Sequence, residues 1–340
     1  LMSLMSDLLE TYNVAYDEGL VDDTYLNNDG LVILPIYHSS RNSSGDDVFE
    51  ITIDGASNAI DGKFLEKGEI ITFPITEDSI TRSGSKKAPH PICDELSYLA
   101  KSIDAEKNEI YMTVVRELLD YEAINNCENF RVIGKYILKN MILEDFLNLH
   151  LRGTPHSVDD KFILKYEDKD NKGKLRIMTM DLKKIFITFK LEKEYGGDIP
   201  ITKDKGLHDF YIDYVRSKNS SVKELSYCDI TGEMSYCVET HRGLLGTAKL
   251  VGVSNHKETY YGRFKKGKDI YRISYEASQK AHNMLKYLIE NKNHSRYIGE
   301  GAYLINWLSQ DLDKGGVELL LDIDNEDLYD MEDLEGVGQE

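Results

Sequence analysis

The sequence predicts an α+β fold in which antiparallel sheets are interleaved with helices. Three observations predict it. Short apolar runs separated by turn residues lie between Leu31 and Phe73. Apolar stripes at helical spacing run through 107–149 and 275–290. A second β-rich stretch, Phe162 to Leu191, lies between those helical regions. The alternation of the two periods is the signal for the class.

Taken in order, Met2 to Tyr16 carries Leu4, Leu8, Tyr12 and Met5, Leu9, Tyr16 at helical spacing. Leu31 to Tyr37, Val48 to Ile53 and Phe64 to Phe73 are expected as strands of a small antiparallel meander. Asn42 to Asp47 and Asp54 to Gly62 supply the turns. Thr81 to Pro91 is a basic loop of small residues, and Cys93 to Ile103 is expected to return to helix. Lys107 to Ala123 and Phe130 to Leu149 are expected as two long helices. Phe162 to Tyr166 and Leu175 to Leu191 are expected as strands, with Gly173 at a turn. Leu207 to Val215 forms an amphipathic helix showing Phe210, Tyr211 and Tyr214. Leu225 to Ile230, Ala248 to Val253 and Gly262 to Ile273 give further strands and loops. Tyr275 to Glu290 is a helix with Ala277, Ala281, Leu285 and Leu288 on one face, and Tyr303 to Trp307 is a last strand. The organisation expected is a segment 1–104 with the basic loop, an α+β body over 105–310, and an acidic tail or linker over 311–340. Two subdomains around one continuous core are expected.

A chain of 340 residues, 41% hydrophobic and 30% charged, has enough apolar material for a substantial core. Six prolines and ordinary glycine argue against a disordered chain. No apolar run approaches the roughly 20 residues of a membrane helix, and the start lacks a basic signal region. A cytoplasmic protein with no membrane partner is expected. Four cysteines without a CxxC pair are expected to stay reduced and buried.

The formal charge is -19, but it is unevenly spread. Residues 311–340 hold 12 acids and one base, Lys314, which is -11 and leaves -8 for the rest. Against this, 256–272 holds six cations and two acids, or +4, with Tyr260, Tyr261, Phe264 and Tyr271 among them. Cations interleaved with aromatics can touch phosphates, sugars and bases together. A second cluster, Arg82-Ser83-Gly84-Ser85-Lys86-Lys87, has three cations, no acid, and small residues that let backbone N–H groups approach a phosphate. Each is a solvated loop in the bland alternative. The charge contrast favours a confined nucleic-acid contact. Arg82, Ser83, Gly84, Lys86 and Lys87 form one candidate loop; Asn255, Lys257, Tyr261, Arg263 and Lys265 form the other. Lys172 to Lys190 is a weaker third candidate, expected as a strand pair with a charged outer face.

Enzyme chemistry finds little footing. There is no G-x-S-x-G and no Gly-Lys-Ser/Thr phosphate loop. Cys228, Cys237, His241 and His256 are spaced C-x8-C-x3-H-x14-H, whereas structural zinc ligands come in pairs about two to five residues apart. A metal-dependent hydrolase on Cys237, His241 and His256 is thus a minor alternative. The expectation is no enzyme, no cofactor and no metal. A different alternative is an acidic interaction protein that mimics or blocks a nucleic-acid surface through its tail.

Three blocks carry a resemblance to a known family. The first is Arg82-Ser-Gly-Ser-Lys-Lys-Ala-Pro-His-Pro-Ile-Cys93-Asp94-Glu-Leu-Ser-Tyr98. The second is Cys228-Asp-Ile-Thr231-Gly232-Glu, then His241, then Leu250-Val-Gly-Val-Ser254-Asn255 and Tyr261-Gly262. The third is the helix Tyr275 to Leu288 with the strand ending at Trp307. In order and spacing, over most of residues 1–310, the chain resembles the large subunit of the type I-C CRISPR surveillance complex, the Cascade effector. It departs from the pattern at Arg242 to Lys249, which is poorer in glycine and serine, and in lacking a Phe before Asn255. Family members are longer, and a C-terminal helical bundle is expected to be missing here. The resemblance implies an irregular large-subunit architecture and a non-catalytic role. Such a subunit recognises the protospacer-adjacent motif in duplex DNA, helps unwind it, caps the guide RNA 5′ end and helps recruit a helicase-nuclease. Its implied partners are guide RNA, a double-stranded DNA target, the Cascade backbone and small subunits, and that helicase-nuclease.

Overall fold

The computed structural model describes residues 2–20, 36–42, 44–80, 82, 86–122, 124, 127–169, 173–193, 198–222, 224–244, 248–252, 270–310 and 312. The chain divides into two compact units, one of Leu1–Leu34 with Ser226–Glu340 and one of Pro35–Leu225. The expected boundary at 104 falls inside the second unit. The class is α+β, as the two periodicities predict.

The unit Pro35–Leu225 is built on a mixed sheet. Strand β2 (Val48–Ile53) is buried at all six positions. It therefore cannot be the half-exposed strand of a local meander; a strand covered on both faces belongs at a sheet centre. It pairs antiparallel with β3 (Ala59–Phe64) and parallel with β9 (Phe186–Leu191), more than a hundred residues away. Strands β5 (Asp94–Glu95) and β10 (Ile199–Pro200) add to β9. A separate ladder joins β1 (Tyr37–Arg41) to β4 (Ile70–Pro74). The run expected as one strand from Phe64 to Phe73 is two strands. Gly68, at φ +90, turns the chain between them, and Asn42 Nδ2 donates to Leu65 O at 2.7 Å and Glu66 O at 3.2 Å. The turn after β2 is shorter than expected. Asp54 Oδ1 accepts from Ala56 N (3.0 Å) and Asn58 N (2.7 Å), closing it within five residues, so 59–64 is free to form β3.

Helices cover this sheet. Helix α4 (Ala105–Leu119) starts where Asp104 Oδ1 accepts from Lys107 N at 3.0 Å. The helix expected over Phe130 to Leu149 is two: α5 (Glu128–Leu138) and α6 (Ile142–Leu151). Asn140 separates them in the left-handed region at φ 56, a conformation asparagine tolerates better than most residues. Phe49, Phe64, Phe146 and His150 form an aromatic cluster between sheet and α6. A Cβ on Gly62 would lie 2.6 Å from the Phe49 ring, so any side chain there would push that ring out of the cluster. The helix expected over Cys93 to Ile103 is one turn only, α3 (Leu96–Leu99), because Asp94 and Glu95 are taken by β9. Helix α2 (Glu77–Ile80) is also one turn, and α7 (Lys205–Val222) extends past the predicted end at Val215, with Phe210 and Tyr211 buried.

A three-stranded sheet completes the unit, ordered β6 (His156–Val158), β7 (Ile163–Lys169), β8 (Leu175–Asp181). The strand pair expected within Lys172 to Lys190 does not form: β8 pairs with the preceding β7, while β9 leaves for the central sheet beside β2, and β8 presents aliphatic residues outward as well as charge.

The other unit pairs two helices. In α1 (Met2–Asp17), Met5, Leu8, Tyr12 and Ala15 are buried; in α8 (Tyr275–Glu290), Ala277, Ala281, Leu285 and Leu288 are. The stripes pack together. Trp307 Nε1 donates to Thr11 Oγ1 at 3.0 Å, fastening the chain after hairpin β13 (Ser295–Gly299)–β14 (Ala302–Ile305) to α1. A short hairpin, β11 (Leu225–Tyr227) with β12 (Met234–Tyr236), holds the Cys228 block in its turn. Among the described residues no helix is long and apolar enough to cross a membrane.

Candidate nucleic-acid interface

The first candidate loop hangs from a buried ion pair. Arg82 donates from Nη1 to Asp94 Oδ2 and from Nη2 to Asp94 Oδ1, both at 2.7 Å. Its Nη1 also reaches Ala88 O at 3.0 Å, and the guanidinium lies 4.7 Å from the Tyr98 ring centre. Asp94 is 0% exposed and accepts two further bonds, from His90 N (2.7 Å) and Glu95 N (2.8 Å). One carboxylate thus ties the residue entering the loop to the strand leaving it. Burial works against the charge on Arg82, yet the bonds to Asp94 hold its pKa above the usual value. Burial pushes Asp94 up, and Arg82 with the two N–H groups opposes that. His90 Nδ1 sits 2.9 Å from Ser79 Oγ, and burial first, then the Arg82 charge, lowers its pKa to about 3. Ser79 in turn exchanges bonds with Thr76 (2.8 and 3.0 Å), fixing α2 before the loop.

Lys86 and Lys87 lie on the surface. Lys86 pairs with Asp78 at 2.7 Å and Lys87 with Glu106; both carboxylates stand largely in solvent, while the Lys86 side chain is about half exposed and that of Lys87 about a third. Glu106 raises the pKa of Lys87. Exposed pairs contribute little to stability, so both ammonium groups can exchange their carboxylates for a phosphate at small cost. Arg82 cannot: removing its partner strands a buried charge. The structure therefore gives Arg82 the geometry of an anchor and leaves the two lysines free to reach outward. A further cation, Lys107, lies 4.7 Å from the Tyr98 ring centre and donates to Ser97 Oγ at 3.2 Å. Sequence reading missed it. Its signal was the Asp104 cap, which places the first turn of α4 beside Ser97 and Tyr98. Ser83 and Gly84 lie outside the described residues.

The second candidate, Asn255, Lys257, Tyr261, Arg263 and Lys265, also lies outside the described residues. Its roots do not. At the C-terminal root, Asp229 N donates to Arg272 O at 2.7 Å. Arg272 donates in return from N to Asp229 Oδ2 and from Nη2 to Asp229 Oδ1, both at 2.9 Å. Val238 N donates to Ile273 O at 3.0 Å, and Ser274 N donates to Cys228 Sγ at 3.3 Å. Ser274 then caps α8, its Oγ accepting from Ala277 N at 3.1 Å. Burial alone would raise the Cys228 thiol; bonds from Ser274 N, from the Thr231 N–H and hydroxyl, and from Ile230 N bring it below its ordinary pKa. Gly232, at φ +73, closes the turn. The Cys-Asp-Ile-Thr-Gly block is thus a clamp that seats the start of α8.

Upstream of the segment, His241 and Arg242 dock on the polar side of α8. His241 Nδ1 is 2.8 Å from Ser278 Oγ, and its ring stacks on His282 at 5.7 Å. Arg242, buried, donates to Gln279 Oε1 at 3.2 Å and to Asn283 Oδ1. Burial lowers it to about 10. The same desolvation lowers His241 to about 3 and His282 to about 4. Cys237 is buried, its Sγ 3.9 Å from Ser226 O. His256 lies outside the described residues, and among those described no group of three or more His, Cys, Asp or Glu is placed to hold a metal.

A search of curated proteins found no match. The family model described as CRISPR-associated protein (Cas_Csd1) matches residues 14–335, which takes in both candidate loops, the Cys228 block and α8. The chain therefore belongs to this family of CRISPR-associated proteins, and its role lies in CRISPR defence.

Proposed function

We propose that the chain is the non-catalytic large subunit of a type I-C Cascade complex. In this reading it recognises a short motif beside the target in duplex DNA and helps open the duplex. It also caps the guide RNA 5′ end and helps recruit a helicase-nuclease, alongside backbone and small subunits in the cytoplasm. Base pairing with the guide then reads the rest of the target. The observation that carries the DNA-binding part is the Arg82–Asp94 clasp, which holds a short loop by its root and leaves Lys86 and Lys87 outward on weak, exchangeable pairs. Loop cations of this kind hold phosphates and set register. Asn255 would touch base edges, and Tyr261 would stack on a splayed base.

The test is binding of the assembled guide-RNA complex to duplexes with a randomised flanking motif. Lys86→Ala with Lys87→Ala should weaken binding to every sequence and lower the salt slope by about 2, since each phosphate left without its lysine takes roughly 0.9 from the slope. Asn255→Ala should relax motif preference at one position, by about 1–3 kcal/mol of discrimination. Unchanged affinity and salt slope in the double lysine variant would remove the loop from the interface.

A further inference from the structure

Among the described residues, the outer edge of β8 is left without a neighbouring strand. The strand pairs with β7 along its whole length, from Ile163↔Asp181 to Lys169↔Leu175. An open edge is a template for another chain, and proteins usually blunt it with short strands, proline or charge. The opposite edge of this sheet, β6, is only three residues long. In contrast, β8 has seven residues, no proline and two charges, Arg176 and, at its end, Asp181. Its side chains alternate, so Leu175, Ile177 and Thr179 share one face while Arg176, Met178 and Met180 share the other. Leu175 is 59% exposed, Ile177 72% and Met178 40%, so aliphatic groups stand in water on both faces.

The surroundings select the chemistry of what covers this edge. From Gly173 to Lys184 there are four cations (Lys174, Arg176, Lys183, Lys184) and one acid (Asp181), a local +3 in a chain of -19. A second copy would bring the same positive edge against this one. Nucleic acid would meet aliphatic side chains that offer no stacking face, and an open row of backbone groups it cannot continue.

We propose that β8 is a docking edge for an extended, acidic segment of another protein, with apolar residues at alternate positions, which adds as a fourth strand. The main chain would supply hydrogen bonds, Leu175, Ile177 and Met178 the pockets' walls, and the flanking cations the charge preference. A segment of about seven residues, near 23 Å at 3.3 Å per residue, matches the strand.

The experiment uses the full chain and amide hydrogen exchange. Three probes are added separately: a peptide of alternating valine and glutamate about seven residues long, its valine–lysine counterpart, and a single-stranded RNA. The expected result is that the acidic peptide slows exchange over β8 by about tenfold or more at saturation and leaves β6 unchanged. That protection should weaken with salt and vanish in Ile177→Glu, a change at an exposed side chain. Arg176→Glu should lower affinity for the acidic peptide and raise it for the basic one. Equal protection by the lysine peptide, protection by RNA alone, self-association through this edge, or no protection by any probe would each overturn the proposal.

Discussion

Arg82 and Arg272 both close the root of a basic segment on an aspartate, and the two closures differ in depth. Arg82 meets a carboxylate that is 0% exposed and that accepts four bonds in all. Arg272 meets Asp229 near the surface, with half of the arginine side chain in solvent. The first closure stands between a one-turn helix and a two-residue strand, where little regular structure holds the chain, so one buried carboxylate sets the path. The second is backed by backbone bonds, the Cys228 sulfur and the cap of α8, so its ion pair is one tie among several. A charged pair can therefore be indispensable or expendable at equivalent positions, according to what else fixes the backbone.

The two closures should differ most when Asp94 is replaced. Asp94→Ala should cost about 3–5 kcal/mol, since it leaves a largely buried guanidinium and two N–H groups without their acceptor. Denaturant titration would read that loss, and hydrogen exchange should show 86–96 opening first. A destabilisation below about 1 kcal/mol, the range of an exposed pair, would mean the clasp is as expendable as the one at Asp229.

Acid should come next. His90, His241 and His282 have folded-state pKa values of about 3, 3 and 4 because burial disfavours their charged forms. Each lies below the unfolded value of about 6.5, so the unfolded chain binds protons first as pH falls. Stability is full above about pH 6.5 and declines below it, by at most about 1.4 kcal/mol per histidine per pH unit. Urea midpoints measured at neutral and at mildly acidic pH would show the decline. His90→Gln should flatten the part belonging to the Asp94 region, and His282→Gln the part belonging to α8.

Cys228→Ala removes an acceptor from Ser274 N and should cost about 1 kcal/mol. Its signature is faster exchange at 270–278 without change at 86–96. The smallest effects belong to exposed pairs. Asp229→Asn should shift stability by about 0–1 kcal/mol, and Lys86→Ala with Lys87→Ala should leave the urea midpoint where it is. The lysine variant then separates binding from folding, because its only large readout should be the salt slope for DNA.

What was legible in the sequence follows the range of the forces involved. Helices α1 and α8 could be placed to within a residue or two because their apolar stripes repeat locally and each is long enough to average the pattern. The basic segments were visible as composition, and the blocks around Arg82 and Cys228 stood out as motifs. What those motifs do was not visible. Arg82 was expected at the DNA, yet its partner is twelve residues on. Cys228 and Asp229 hold Ser274 and Arg272, more than forty residues away. Nothing in local spacing distinguishes an arginine that will find a buried aspartate from one that will find a phosphate. The β2–β9 pairing was hidden for the same reason: a strand buried on both faces has no alternation to betray its neighbour. The sequence by itself determined the α+β class, the helical stripes and where positive charge gathers, because those depend on neighbours along the chain. Only the tertiary structure decided which cations are anchors and which are outward, because that depends on burial, and burial is conferred by residues distant in sequence.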